Sequence, residues 1–363
     1  MNDRVKHYTI KVTLEGPVFI GSGQSIGKKE YLFDPRRKLV SIPDMAKLYQ
    51  FLQNSRLMDA YETYMLEGWD DLSSWMRKHG VLERQCAPWI AYSIDSGDAV
   101  FENRGKKEIA TFLKDAYGCP YVPGSSLKGA LRTVLLSSAL LNRPQQFDRP
   151  RSEVRNAQLF GKRKNMLRRE TDQLEHQVFR TLQRNTKRPQ DAVNDTLSGF
   201  QVGDSAPLSV NDLTLCQKID MLPDGKQRRL PILRECLKPG TELSFPLSID
   251  TALCKITPKQ IGSAAGDFVQ AYEKYYLNAF PMNGIIGGGN LYLGGGCGFV
   301  SKTVLYPLLG KAGLQKTSDI LSSQFRAHKH FRDKEEGVSP RTVKCTKYHG
   351  EYFEMGACTM EIV

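Results

Sequence analysis

Apolar and polar residues alternate near the start of the chain, with Tyr8, Ile10, Val12 and Leu14 on one side and Thr9, Lys11 and Thr13 on the other. Successive side chains of an extended backbone point to opposite faces, so this pattern predicts a strand with one face buried. A glycine-rich turn follows over Gly21, Ser22 and Gly23 to Gly27, and the basic pair Lys28 and Lys29 leads towards a second strand around Tyr31 to Phe33. From about Pro43 to Lys78 the period lengthens: Leu48, Phe51, Leu52, Leu57, Tyr61, Met65 and Leu66 recur at roughly helical spacing, which predicts a helical insert at about 43–80. Leu127, Leu131, Val134 and Leu135 mark a further helix, with Ser125 or Ser126 as its cap. A short strand is expected over Gly199 to Pro207, turning outward at Asp204 and Ser205. Beyond it come strands at Leu213 to Ile219 and Glu242 to Ile249, then a helix from about Pro258 to Phe280. The class is α+β. Similar element types in both halves suggest duplicated architecture, with a boundary near Pro207 between domains 1–206 and 207–363.

At 363 residues the chain is long enough for two compact domains, and 40% apolar with 25% charged residues is typical of a folded protein. No stretch reaches the roughly eighteen apolar residues that would span a bilayer, and the first residues lack a signal-peptide core. No membrane association and a cytoplasmic location are therefore expected. Eight cysteines without a Cys-x-x-Cys pair read as reduced, mostly buried thiols.

Charge changes the picture more than composition does. The net charge is +12, and an excess of that size favours a polyanion, nucleic acid first, through neutralised phosphates and released counterions. Thirteen Lys or Arg face five Asp or Glu between Arg143 and Arg188, so this segment, within a basic insert at about 143–195, supplies +8 of the total. It includes Lys162, Arg163 and Lys164, with Phe147, Phe160 and Phe179 interspersed. A solvated, partly disordered insertion accounts for the same residues equally well.

Two glycine clusters carry the candidate chemistry. In Pro123-Gly124-Ser125-Ser126-Leu127-Lys128-Gly129-Ala130-Leu131-Arg132 a loop opens into a helix, whose free amides and dipole attract anions. Lys128 and Arg132, four residues apart, are placed to extend that site to a second phosphate. The bland alternative is that Gly124 and Gly129 only permit a tight turn and close packing. In the second half, Gly287-Gly288-Gly289 and Gly294-Gly295-Gly296-Cys297-Gly298, followed by Lys302, would let a backbone come close to a ribose-phosphate strand, or would simply relieve strain in a hairpin. Neither the Gly124 to Gly129 segment nor the earlier Gly21 to Gly27 turn completes a nucleotide fingerprint: Gly129 is followed by Ala130-Leu131 rather than the Lys-Ser/Thr of a phosphate-binding loop, and Ile26 stands where a dinucleotide motif needs glycine or alanine. Gly296 to Lys302 partly follows an RNA-recognition strand consensus, but Cys297 and Lys302 replace the stacking aromatics. Backbone contact by loops is the better expectation.

These motifs together resemble the repeat-associated mysterious protein (RAMP) superfamily of CRISPR systems, on the helix start Pro123 to Arg132 and the late loop Gly294 to Gly298. Within it, Phe19 to Gly23 with Lys29-Glu30-Tyr31, Val202 to Ser205, Gly294 to Thr303, and Gly337 to Thr342 running into Glu354-Met355-Gly356 look like the fifth-subunit family of type III-A Csm complexes. The resemblance implies two ferredoxin-like (RRM-like, βαββαβ) domains with antiparallel sheets. It also implies a non-catalytic RNA-binding subunit that holds the 3′ part of the guide (crRNA) and ends the backbone filament in antiviral defence. Partners implied are the guide RNA, the repeating backbone subunit, the small filament subunit and recruited cellular nucleases, with no cofactor and no metal. The related backbone subunit cleaves target RNA with an aspartate in the first loop, whereas no carboxylate occurs here between Gly21 and Glu30. The rival class is a guide-processing endoribonuclease using His328 and His330, flanked by Arg326, Lys329 and Arg332. The same histidines with Cys345 and His349 are a poor match to zinc spacing. A free-standing RNA chaperone is a third reading.

Overall fold

The structure is a computed structural model that describes residues 4–99, 108–157, 159 and 167–363. Phe160 and the triplet Lys162, Arg163 and Lys164 lie outside the described residues.

β1 (Val5–Leu14) is the alternating segment, with Ile10, Val12 and Leu14 buried as their spacing predicts. Where a turn is expected, Gly21 to Ile26 is instead a strand, β2 (Gly21–Ile26), whose irregular pairing reflects the positive φ of Gly23. β3 (Leu32–Asp34) and β4 (Leu39–Pro43) form a hairpin. The helical insert divides into α1 (Met45–Asn54), α2 (Met58–Glu67), α3 (Leu72–Lys78) and α4 (Glu83–Cys86), with Asp44 and Asp71 accepting from the first free amides of α1 and α3. Leu48, Leu52, Tyr61, Leu72, Trp75 and Trp89 give this insert a core of its own. There follow β5 (Ile90–Asp95), β6 (Ile109–Phe112) and α5 (Gly124–Asn142), the expected helix. The basic insert contains two helices, α6 (Asp148–Asn156) and α7 (Arg168–Phe179), followed by turns from Arg180 to Asp191. The remaining elements are β7 (Phe200–Val202), β8 (Leu213–Met221), β9 (Gln227–Leu237), β10 (Glu242–Asp250), α8 (Pro258–Tyr275), β11 (Ile285–Ile286), β12 (Leu291–Tyr292), α9 (Leu305–Leu309), α10 (Gly313–Gln324), β13 (Val343–Tyr348), β14 (Glu351–Glu354) and β15 (Ala357–Ile362).

One sheet runs β12-β15-β1-β10-β7, antiparallel throughout. Apart from the edge strand β12, its strands and the helices α5 and α8, taken in chain order, read β1-α5-β7-β10-α8-β15, a split βαββαβ unit. Strands from both sides of residue 207 therefore build this one ferredoxin-like arrangement, so pairing crosses the boundary that the repeated element types suggest. The reason is physical: β7 is three residues long and cannot cover β1, whereas β10 pairs with β1 from Val5↔Asp250 to Thr13↔Glu242. Leu243, Phe245, Leu247 and Ile249 point with Ile10 and Val12 into the apolar layer beneath α5 and α8. The other sheet runs β11-β14-β13-β8-β5-β4-β3, with β9, β6 and β2 joined through β8. It contains parallel pairs, β5 with β8, β6 with β9 and β11 with β14, where only antiparallel sheets are implied by the resemblance.

The helix α5 meets the chain beyond β7 at main-chain contact. A Cβ on Gly124 would lie 2.3 Å from the carbonyl oxygens of both Val202 and Gly203. Backbone cannot retreat as a flexible side chain does, so Gly124→Ala is expected to lower stability by about 1–3 kcal/mol, read as a lower urea midpoint with unchanged slope.

Candidate nucleic-acid interface

The segment leaving β1 crosses between the two sheets. Val18 and Leu237 exchange main-chain hydrogen bonds, and Gly295 donates to the carbonyl of Phe19 at 2.6 Å. Gly294 adopts φ +79°, and a Cβ there would sit 2.4 Å from the Phe19 oxygen. The late glycine cluster is thus a loop laid against the first one, not a strand, and it ends in a short turn of helix at Val300–Lys302. Between them and the start of α5 lies a cleft of about 440 Å³, lined by Phe19, Gly21, Ser125, Ser126, Gly129, Gly294, Gly295 and Lys302 among others. Three segments far apart in sequence, each singled out by its glycines, share one wall-to-wall space. Lys302 is its exposed cation.

The cleft continues onto a cationic shelf that the sequence did not reveal. A Cβ on Gly296 would touch the Arg234 guanidinium at 3.0 Å, and one on Gly298 would lie 3.5 Å from the Lys344 stem. Arg234 also sits over the Phe19 ring, 5.4 Å from its centroid. In the sheet, Asp220 lies across from Lys344 on one side and Arg228 on the other, with Lys218 two positions away on the same strand. Asp220 pairs with Lys344 at 2.9 Å and Lys218 at 3.8 Å, one carboxylate among four cations. Burial lowers the Lys218 pKa, and Lys344, Arg234 and Arg228 push it the same way against the pull of Asp220. A phosphate placed here would relieve that repulsion. Lys218, Arg228 and Arg234 lie along one hairpin, and only the pairing of β13 with β8 brings the distant Lys344 beside them.

Other expected site residues are placed elsewhere. The α5 start is capped neither by Ser125 nor by Ser126: the Gly124 amide donates to the Asp204 carboxylate at 2.8 Å. An internal anion therefore already occupies part of that helix terminus. Lys128 and Arg132 lie on a different face of α5 from Ser126, Gly129 and Thr133, and neither lines the cleft. Lys128 donates to the Leu197 carbonyl at 2.7 Å, and its pKa is lowered, chiefly by burial. Arg132 is held by Glu175 of α7 at 2.8 Å and by Asp195 at 2.9 Å, and lies over the Phe179 ring. Burial opposes its charge, but those two carboxylates outweigh it and raise the pKa. These cations clasp the basic insert to α5 instead of extending the anion site. Lys28 and Lys29 donate to the carbonyls of Trp69, Tyr64 and Met65 at the end of α2. In β2, Ser22 bonds Thr111 at 2.6 Å and Ser25 donates to Glu108, a carboxylate brought in by the neighbouring chain segment. The outward face of the ferredoxin-like sheet presents Thr9, Lys11, Thr13, Ser244 and Pro246 on β1 and β10, with His7 near one end bonded to Ser248 Oγ at 2.9 Å, and those two strands carry no Phe, Tyr or Trp on that face for a base to stack upon.

The model for the RAMP superfamily matches residues 11–300. A relative from Mycobacterium tuberculosis (strain CDC 1551 / Oshkosh), named CRISPR system Cms protein Csm5, is 32% identical over 391 aligned residues, covering 100% of this chain and 99% of the relative. The chain belongs to the RAMP superfamily and, within it, to the Csm5 family. Csm5 of Streptococcus thermophilus is 26% identical, with 84% of this chain and 82% of that protein covered. In fold, the chain is similar to one in the cryo-EM structure of a Csm-crRNA-target RNA ternary complex of a type III-A CRISPR-Cas system, with TM-score 0.64, 18% identity, and 98% and 100% of the two chains covered. It is similar also to the crystal structure of T. onnurineus Csm5, with TM-score 0.61, 16% identity, and 96% and 99% covered.

The histidines of the rival reading stand apart from the cleft. His330 Nδ1 lies 2.9 Å from the fully buried Asp333, which also accepts from Ser339 Oγ at 2.8 Å and faces Arg341 at 3.5 Å. His328 stacks on Phe325, and its ring centroid is 5.8 Å from that of His330. Cys345 is buried in β13 while His349 sits in an exposed turn, and among the described residues no group of three or more His, Cys, Asp or Glu converges as a metal site would. All eight cysteines are free. No helix among the described residues is long and apolar enough to cross a membrane.

Behind the cleft wall, Glu354 accepts from Tyr272 at 3.0 Å and Tyr292 at 2.9 Å. Burial raises its pKa to about 7, against the opposing effect of the two tyrosine hydroxyls and with some help from Glu273. A carboxyl that holds its proton more tightly when folded contributes fully below the unfolded value and loses that contribution as pH rises towards the folded one. Stability is expected to fall between about pH 4.5 and 7 by on the order of 3 kcal/mol from this group. Glu354→Gln flattens that slope in urea unfolding measured from pH 4 to 8.

Proposed function

We propose that this chain is a non-catalytic subunit of a type III-A CRISPR ribonucleoprotein, in which it holds the 3′ part of the guide RNA and ends the backbone filament, supporting guide maturation and antiviral RNA interference. The observation that carries the reading is the meeting of Phe19 to Gly21, the α5 start and Gly294 to Gly296 in one cleft beside Lys302, Arg234 and Lys344, in a chain related over its whole length to Csm5. Glycine lets a ribose-phosphate strand approach main-chain amides, and the neighbouring cations neutralise phosphates without reading bases. Contact is therefore sequence-tolerant, as a guide-binding subunit serving many spacers requires. The repeating backbone subunit and the small filament subunit are its protein neighbours, cellular nucleases complete the 3′ end, and the assembly works in the cytoplasm. Gly21, Ser22, Gly23, Gly124, Ser125, Ser126, Gly294, Gly295, Gly296, Gly298 and Lys302 form or support the RNA path, with Arg234 and Lys344 added to it.

Single-stranded guide RNA is expected to bind the purified chain in a salt-dependent manner. Lys302→Ala with Arg234→Ala weakens that binding about tenfold and flattens the salt dependence by about 0.7 per lost phosphate contact, whereas Lys11→Ala on the open sheet face leaves it unchanged. Fluorescence anisotropy across a salt series checks this, and a larger effect of Lys11 than of the pair overturns the cleft assignment. Incubated with magnesium or manganese, the chain is expected to leave guide precursor and target RNA intact on a denaturing gel. Product bands abolished by His330→Ala support the nuclease instead.

A further inference from the structure

The basic protein carries one acidic stretch. Residues 58–71 contain Asp59, Glu62, Glu67, Asp70 and Asp71 and no Lys or Arg. The same stretch opens large apolar side chains to solvent: Leu66 is 85% and Trp69 88% exposed, with Met65 exposed beside them. The tip is held firmly. Gly68 turns the chain so tightly that a Cβ would lie 2.6 Å from the Tyr64 carbonyl. Lys29 donates to the carbonyls of Tyr64 and Met65 at 2.9 Å each, Lys28 donates to that of Trp69, and the Leu72 amide donates back to the Lys28 carbonyl at 3.1 Å. Beneath, Tyr64 stacks on Trp75 at 5.3 Å within the insert's own core. A basic pair with the look of an RNA contact is thus spent on fixing an exposed tryptophan in place.

We propose that the Leu66–Trp69 tip of the helical insert is a protein-docking surface, whose occupant is a neighbouring subunit of the assembly presenting an apolar pocket rimmed by basic residues. The idea rests on the reading that the chain works within such an assembly. Charge decides between classes of partner. Asp70 is paired with Lys78 and Asp71 caps α3, but Asp59, Glu62 and Glu67 form no ion pair among the described residues, so the tip faces its partner with carboxylates uncompensated. Such a rim repels an RNA backbone and complements the basic surfaces that RNA-coating subunits necessarily carry. A preorganised tryptophan with an adjacent leucine is the side-chain pair that binding hot spots favour, because little conformational entropy remains to be lost.

The test uses the full-length chain and the purified backbone and small subunits of its own system, each treated with ribonuclease so that only protein contacts are read. Leu66→Ser with Trp69→Ser, and separately Glu62→Lys with Glu67→Lys, are expected to weaken binding of one of these subunits tenfold or more. The circular dichroism spectrum and the RNA affinity of the free chain stay unchanged. Wild-type affinity for both subunits in both double variants overturns the proposal. So does a loss of RNA affinity on removing Trp69, which makes the tip a stacking platform, or the loss of a wild-type dimer, which makes the occupant a second copy. If the wild-type chain binds no RNA yet the tip variants still lose the subunit, the guide-binding function falls and the docking surface stands.

Discussion

The structure depends on two stretches of main chain meeting with nothing between them. The strand leaving β1 and the loop after β12 touch at Phe19 and Gly295, with Gly294 in a left-handed conformation 2.4 Å from a carbonyl had it a Cβ. Only glycine satisfies both the backbone angle and the approach. That contact joins the ferredoxin-like sheet to the larger one, since Val18 on the same segment bonds Leu237 of β9. The same crossing sets the floor of the cleft, so packing and proposed RNA binding are served by the same residues.

Buried polar groups around the crossing are paired with care. Glu235 is fully buried yet receives Lys114 at 2.6 Å, the Tyr92 hydroxyl at 2.7 Å and the Phe112 amide at 2.8 Å. Glu354 receives two tyrosines, and Asp333 a serine and a histidine. Glu235 and Glu354 tie segments distant in sequence, Asp333 braces the loop around it, and each costs a great deal if left unpaired. Such ties hold the long connections in register where the apolar layer alone is indifferent to sliding.

Cations divide into two populations. Lys28, Lys29, Lys128 and Arg132 are consumed by carbonyls and carboxylates of the protein itself. Lys302, Arg234, Lys218 and Lys344 gather where carboxylates are few. The total of +12 describes both alike, and neighbouring residues in sequence cannot tell them apart, because a lysine's partner is chosen by what the fold brings within hydrogen-bond reach.

The chain alone determined its α+β class, the strand at Tyr8 to Leu14, the helices at Leu127 and Pro258, and the membership in the RAMP superfamily. Those features follow from local alternation, from apolar spacing and from motifs short enough to be read in one stretch. Tertiary structure decided that the βαββαβ unit spans both halves, that Gly21 begins a strand, that Asp204 caps α5, and that three glycine segments enclose one cleft. Strand order and register are settled by which apolar faces cover one another across hundreds of residues, and no local pattern encodes that choice.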